Sequence, residues 1–443
     1  FKRFASGVRD PLKARAAVLD SGRGPVALVG IDTCGLGERT VCLIREAAER
    51  KTAGKVRGGQ ILVAASHTHS GGMLSGYHPD DVKDAPPLIR TLVLEHSLCL
   101  DLDYERLVVE RASDAVYLAL ARMDAVTASV GSGEESAVSF CRRVKMKDGR
   151  IFTHPGKGNP DIAGPAATPD PEVGVIGGWR ADGALAGCVV NFACHGTAWQ
   201  KTVISADWIA AMERTIRGVY GPQAVVVFLN GASGDVATVD NLSLREMRTP
   251  EENLVLIGTR VGAEAVKVLA LAERGDLSPV MSVSRTLELA RRRLSPEKVR
   301  WARDAAQRLI GDPAGRETNE FVRAKDWLYC DYLLSREPHK TVEIQAVQVG
   351  PAVFLGNPSE YFCSLGLKIK RAVRERFPFA YVVELANGKA GYVPDSEAFG
   401  PGGGGYETRL SSSTNLEPAA GDKIAESSIA LAATLEPGRV PQG

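Results

Sequence analysis

His67-Thr68-His69 follows directly on the apolar run 60–65, and Ser70, Gly71 and Gly72 come next. If the strand stays extended, residues i and i+2 point to the same side. The two imidazoles then converge at the end of a buried strand, and the glycines let the chain turn away without covering them. The chain has seven histidines, so two this close together carry weight. The arrangement suits metal ligation or proton transfer, and it also suits core or capping histidines satisfied by hydrogen bonds. Three more strands end in similar fashion. The nearly continuous apolar run 187–194, the mark of a strand buried on both faces, ends in His195-Gly196-Thr197. The run 224–229 ends in Asn230-Gly231-Ala232-Ser233-Gly234-Asp235, and the run 352–355 in Gly356-Asn357-Pro358-Ser359-Glu360. Ligands gather at the carboxyl ends of strands in parallel α/β sheets. Two histidine-bearing and two carboxylate-bearing strand ends fit a zinc site with an open position. Taken singly, Asp235 and Glu360 read as turn and helix N-terminal acids; their repeated placement favours chemistry.

The elements that must position these residues alternate between strand and helix. Residues 11–33 read as a strand pair turning at Ser21-Gly22-Arg23-Gly24. Helical periodicity marks 38–51, 103–122, 207–219, 251–272, 296–309, 316–337, 359–376 and 422–435. Strands are expected at 125–133 and 380–385. The stretch 142–186, with its Gly and Pro clusters, reads as the longest irregular region. Gly156-Lys157-Gly158 within it lacks the spacing of a phosphate loop. Gly400-Pro401-Gly402-Gly403-Gly404-Gly405 reads as a mobile flap. With no internal repeat and no long linker, the expectation is a single domain over 1–443. Its fold class is α/β, with mixed, largely parallel central sheets flanked by helices and the metal site at strand carboxyl ends.

Composition narrows the partners. The chain is 44% hydrophobic and 24% charged, with a net charge of +1, so it carries no electrostatic footprint for nucleic acid. No apolar run approaches the roughly 18–20 residues needed to cross a bilayer. The eight cysteines form no CxxC pair and read as small buried hydrophobes. A soluble protein, secreted, periplasmic or cytoplasmic, fits these features. No signal peptide is visible, and the abrupt start at Phe1 leaves room for a removed segment.

His67-Thr68-His69-Ser70-Gly71, Asn191-Phe192-Ala193-Cys194-His195, Phe228 through Val236 and Gly356-Asn357-Pro358-Ser359-Glu360 occur in that order. The ordered set resembles the catalytic domain of the neutral/alkaline, non-lysosomal ceramidases, over about residues 8–435. The resemblance implies one zinc per chain, held by His67, His195, Glu360 and Tyr392. The tyrosine lies in Leu385-Ala386-Asn387-Gly388-Lys389-Ala390-Gly391-Tyr392-Val393 and reads from its own context as an ordinary strand-end residue. It also implies Asp235 as general acid/base, His69 beside the metal without being a ligand, and Arg142 beside the substrate; a surface arginine is the plainer reading of Arg142. Asp207, in Ser205-Ala206-Asp207, reads as a supporting or helix-capping acid. Two departures stand out. Ala237 replaces the serine that ceramidases carry two residues after the aspartate, so the nucleophile must be water. The chain also ends without room for the family's C-terminal β-sandwich domain.

These readings converge on a zinc-dependent hydrolase that cleaves the amide of an N-acyl, small-molecule or lipid-like substrate with metal-activated water. A zinc esterase, lactonase or amidase acting on a polar or carbohydrate-linked substrate shares the same site. A non-catalytic binding protein with a structural metal is the reading from another class.

Overall fold

The first hairpin forms where turn chemistry requires it. Ala14–Leu19 pairs antiparallel with Val26–Ile31, and Gly22 and Gly24 in the connecting turn adopt φ of 88° and 102°, a region open to glycine. The Glu38–Lys51 helix then crosses over, so Ile61–Ala65 joins Val26–Ile31 in parallel. A five-stranded sheet runs in the order Val225–Asn230, Leu185–Phe192, Glu172–Trp179, Thr127–Glu134, Arg274–Gly275. A four-stranded sheet runs Val280–Ala290, His339–Val349, Ala352–Gly356, Phe379–Val383. The computed structural model describes residues 4–199 and 202–442.

These three sheets meet face to face. Leu28 and Leu62 from the first, Ile176, Val189 and Val227 from the second, and Val347, Phe354 and Val383 from the third share one buried cluster. Each outer face is covered by helices. Glu38–Lys51 and Leu102–Ala121 seal the first sheet through Val41, Ile44, Val108 and Ala112. Trp208–Tyr220 and Pro250–Leu271 seal the second through Trp208, Met212, Ile257 and Val261. Cys363–Val373 and Ala420–Ala432 seal the third through Ile369, Val373, Ile424 and Leu431. Each such side chain contributes roughly 1.5–3 kcal/mol by leaving water. A satellite of Pro87–Leu94, Pro296–Leu309 and Asn319–Arg336 packs apart, around Leu92, Ala306 and Phe321.

The sheets are mixed, as expected, but parallel pairing does not predominate in them. Parallel pairing joins Val26–Ile31 to Ile61–Ala65, Leu185–Phe192 to Val225–Asn230, and Ala352–Gly356 to Phe379–Val383; most remaining ladders are antiparallel. The continuous apolar runs reflect burial between another sheet and a helix layer, which any strand direction can satisfy. The parallel strands are nonetheless the ones that carry the candidate residues. Three further corrections follow. The stretch 142–186 holds a small antiparallel sheet of Arg143–Met146, Ile151–Thr153 and Ile162–Pro165, and then the whole Glu172–Trp179 strand. Val280–Ala290 and His339–Val349, two strands of 11 residues each, were not expected, because polar residues, some exposed and others, such as Gln345 and Gln348, buried, interrupt their apolar pattern. Glu360 lies in a short strand, Ser359–Tyr361, paired in parallel with Gly391–Val393, and the following helix begins only at Cys363. The Gly400–405 run is held on the Arg143 side, where that guanidinium donates to the Gly404 carbonyl at 2.8 Å. No helix among the described residues is long and apolar enough to cross a membrane.

Candidate metal centre

His67, His195 and Glu360 come together from three separate strand ends, with ligand atoms all within 4.8 Å of one another. Glu360 Oε2 lies 3.4 Å from His67 Nε2 and 3.7 Å from His195 Nε2. All three residues are buried, and Glu360 Oε2 has no hydrogen-bond partner. Leaving a buried carboxylate oxygen unpaired costs several kcal/mol. Two imidazole nitrogens and a carboxylate oxygen converging on one point form a donor set that suits zinc. The local backbone is built for this approach. A Cβ on Gly234 would lie 2.3 Å from the Glu360 carbonyl, and one on Gly196 would lie 2.8 Å from the His67 carbonyl.

His67 and His69 do meet, with ring centroids 4.8 Å apart, but not by extended alternation. The strand stops at Ala65, and His67 adopts φ 64°, a strained conformation for a non-glycine residue. Such strain persists where the surroundings over-determine it. Here the His67 Nδ1–H donates to the Cys34 carbonyl at 2.7 Å, which leaves its Nε2 lone pair for a metal. His69 is exposed, and its Nε2 lies 3.5 Å from His67 Nε2.

His195 is fixed from its other nitrogen. An arginine can only donate, so Arg142 Nη1 at 3.1 Å meets the lone pair of His195 Nε2, the one a metal would take in its place, and the proton is on Nδ1. That Nδ1 faces Ser233 Oγ at 3.4 Å, and the Ser233 hydroxyl in turn donates to Glu384. Glu384 is fully buried and also accepts from Asn230 Nδ2 and from the backbone N–H groups of Ser233 and Tyr361. Burial and the Arg142 charge hold the His195 imidazole well below its usual pKa, so it stays neutral, as a ligand must be. Burial works against the Glu360 charge, but His195 and His67 hold its carboxyl well below the usual range. Burial raises Glu384 to about 7.

Tyr392 stands beside Glu360 in register across the two short parallel strands. Burial and the Glu360 charge keep its phenol protonated in this geometry. Arg142 is buried, not at the surface. It stacks over the Tyr392 ring at 5.3 Å and spends its other donors on Glu407 (2.7 Å) and the Gly234 carbonyl (2.8 Å). Asp235 lies at the start of the Cys363–Val373 helix, where Oδ1 accepts from the Cys363 N–H at 2.9 Å and buried Oδ2 has no partner. Burial raises its pKa to about 6. Its backbone carbonyl accepts from the Arg142 N–H, so Asp235 adjoins the centre through Arg142. Asp207 caps the Trp208–Tyr220 helix and also accepts from the Ala198 and Trp199 N–H groups, a supporting role removed from the ligand atoms. Ala237 is buried in a two-residue strand paired with Phe140–Cys141 and presents no hydroxyl.

Sequence reasoning gave no role to Ser233, Glu384, Tyr406 and Glu407. Glu384 follows the Phe379–Val383 strand and carries the same signal as the other sites, a carboxylate after an apolar run. Tyr406, whose ring lies 5.5 Å from that of Tyr392, and Glu407 follow a glycine run with no local pattern. A cavity of about 1050 Å³ opens onto His69, Thr68 and Gly391, so the triad sits just behind its wall.

No model of a known protein family matches this chain, and no curated protein matches its sequence. Solved structures do match. A ceramidase determined in complex with C2 superposes with a TM-score of 0.72 at 19% identity, covering 100% of this chain and 73% of that one. The neutral ceramidase of Pseudomonas aeruginosa superposes with a TM-score of 0.70 at 21% identity, covering 99% of this chain and 72% of that one. The chain therefore has a neutral ceramidase-like fold along its whole length.

Proposed function

We propose that this chain is a zinc-dependent hydrolase that cleaves the amide bond of an N-acyl substrate, as a ceramidase-like enzyme does. The observation that carries the reading is the unpartnered Glu360 oxygen facing the Nε2 atoms of His67 and His195. His67, His195 and Glu360 would hold one zinc, with Tyr392 beside Glu360 as the fourth ligand. Zinc bound there supplies a Lewis acid and an acidified water, with a pKa of about 7.

The chain's own residues supply the rest. Asp235, with a free carboxylate oxygen and a pKa of about 6, takes a proton from the attacking water and returns it to the amine nitrogen as the C–N bond breaks. His69 and Arg142 face the acyl oxygen as negative charge develops. Glu407 fixes Arg142, and Glu384 fixes the His195 tautomer through Ser233. The likeness of the fold to ceramidase structures supports amide hydrolysis over ester or lactone hydrolysis.

The deep burial of His67, His195 and Glu360 favours a second reading, a structural metal in a non-catalytic binding protein. The cavity that reaches His69 speaks for catalysis. The decisive experiment strips the protein with a chelator, reloads it with zinc and assays a panel of N-acyl amides. The proposal expects amide cleavage that disappears on chelation and returns with zinc. Stoichiometric zinc without cleavage of any amide would favour the structural metal.

A further inference from the structure

The cavity that opens on His69 has a lining that a long acyl chain would not use. Ten of its lining residues carry a formal charge, whereas its larger aliphatic side chains are only Met73, Leu74, Leu98 and Leu333, beside Ala390 and three tyrosines whose hydroxyls are polar. A buried methylene contributes about 0.8 kcal/mol only when it leaves water for apolar surroundings, and charged walls deprived of water oppose that gain. The occupant matched to such a wall is compact and polar.

The charges on that wall are not all balanced. Arg39 pairs with Asp80, Arg291 with Glu337 and Lys340 with Glu38. Lys83 and Arg336 also pair with no carboxylate among the described residues, but both are exposed. Lys389 is instead half-buried, its ammonium donates to the neutral Ser75 carbonyl at 3.0 Å, and among the described residues it too pairs with no carboxylate. An ammonium has three donors, and a partly desolvated cation with spare donors is stabilised by an anion. Lys389 stands three residues before Tyr392, in the segment that brings that residue beside Glu360. Lys389 lines the same cavity as His69 and Gly391, so an anion held on Lys389 would share that cavity with the approach to the candidate centre.

We propose that the site selects a compact amide bearing a carboxylate, which Lys389 binds while the scissile amide lies toward His69 and the metal centre. This deepens the hydrolase reading above and rests on it. The carboxylate can lie on the amine side, as in an N-acyl amino acid, or on the acyl side, as in the monoamide of a dicarboxylic acid. Both carry a single negative charge for the ammonium to pair with.

The test uses the zinc-loaded protein and matched pairs: short-chain N-acylglycines against their carboxamides, and succinic monoamides against their methyl esters. Both kcat/KM and calorimetric binding are measured for each pair. The expected result is a preference for the charged member of at least one pair by about 10- to 100-fold, the size of a charge-assisted hydrogen bond. That preference should reside mainly in KM or Kd, collapse toward unity in Lys389→Met and persist in Lys389→Arg, with melting temperatures showing that both variants fold. Equal handling of charged and neutral members by the wild type, or a preference that survives Lys389→Met, would overturn the proposal. If no amide is cleaved, the hydrolase reading fails, and Lys389-dependent binding of the carboxylates still decides this one.

Discussion

Two buried polar clusters flank one helix, Cys363–Val373, and they differ in a single respect. Around Lys370, every formal charge has a partner: the ammonium bonds Asp170 and Glu172, and Arg374 bonds Glu172. At the other end of the helix, Glu360 Oε2 and Asp235 Oδ2 are equally buried and accept no hydrogen bond, Glu360 facing only the Nε2 atoms of His67 and His195. A Cys363 bridge links the two, since its N–H donates to Asp235 and its sulfur accepts from the Asp170 N–H. Burial alone therefore does not mark a functional centre. A saturated network holds the fold together, and a network with unspent acceptors is waiting for a ligand or a proton.

That contrast can be broken by substitution. Glu360→Gln removes the charge that two imidazoles face. If a metal does chemistry there, several kcal/mol of transition-state stabilisation is lost, an activity loss of about 1000-fold or more; turnover within a few-fold of wild type would end the distinction. Asp235→Asn keeps an acceptor for the Cys363 N–H but cannot move a proton. Turnover should fall by roughly 100- to 10,000-fold with zinc retained, whereas a mere cap would leave kcat near normal per folded molecule.

The same variant has a pH signature. Asp235 has a folded pKa of about 6 against an ordinary 3.8. The stability it gains from protonation is therefore complete below pH 3.8 and lost as pH rises through about 6. The melting temperature of Asp235→Asn should accordingly gain on the wild type on going from about pH 4 to about pH 8. A difference independent of pH would place Asp235 outside the titrating set.

Ser233→Ala tests the relay to His195. Removing a residue that orients a metal ligand typically costs about 10- to 100-fold in metal affinity or activity, and Glu384→Gln should follow it. Zinc titration by competition with a chelator reads both. The smallest effect on activity belongs to the saturated cluster. Lys370→Met strands the buried Asp170 carboxylate and leaves Glu172 with Arg374 alone, so it should destabilise by about 3–5 kcal/mol, while zinc content and kcat per folded molecule stay unchanged. Loss of kcat in folded Lys370→Met would show that the two clusters act as one.

The sequence is legible where chemistry and local pattern coincide. His67, His195 and Glu360 each follow an apolar strand, so residue type and position together mark them. Tyr392 entered only through the family resemblance, because a tyrosine on a short buried strand has no distinctive context. Ser233 sits within a segment already noted, and its role depends on Glu384, 151 residues away. Glu407 meets Arg142 across 265 residues with nothing local to announce it. The share of parallel pairing was overestimated for a physical reason: burial on both faces comes from stacked sheets as readily as from parallel pairing. Most helices were legible to within a few residues, as at Glu38–Lys51 and Pro296–Leu309, because their periodicity is local, whereas the eight-residue Pro87–Leu94 helix is too short to show one and was not expected.

The central claim is that the unspent acceptors beside His67 and His195 hold a metal. Elemental analysis of purified wild-type protein and of His195→Ala tests it most directly. The account predicts about one zinc per wild-type chain and its loss in the folded variant. Stoichiometric zinc retained in His195→Ala, or full amide turnover by a wild-type protein free of metal, would contradict it.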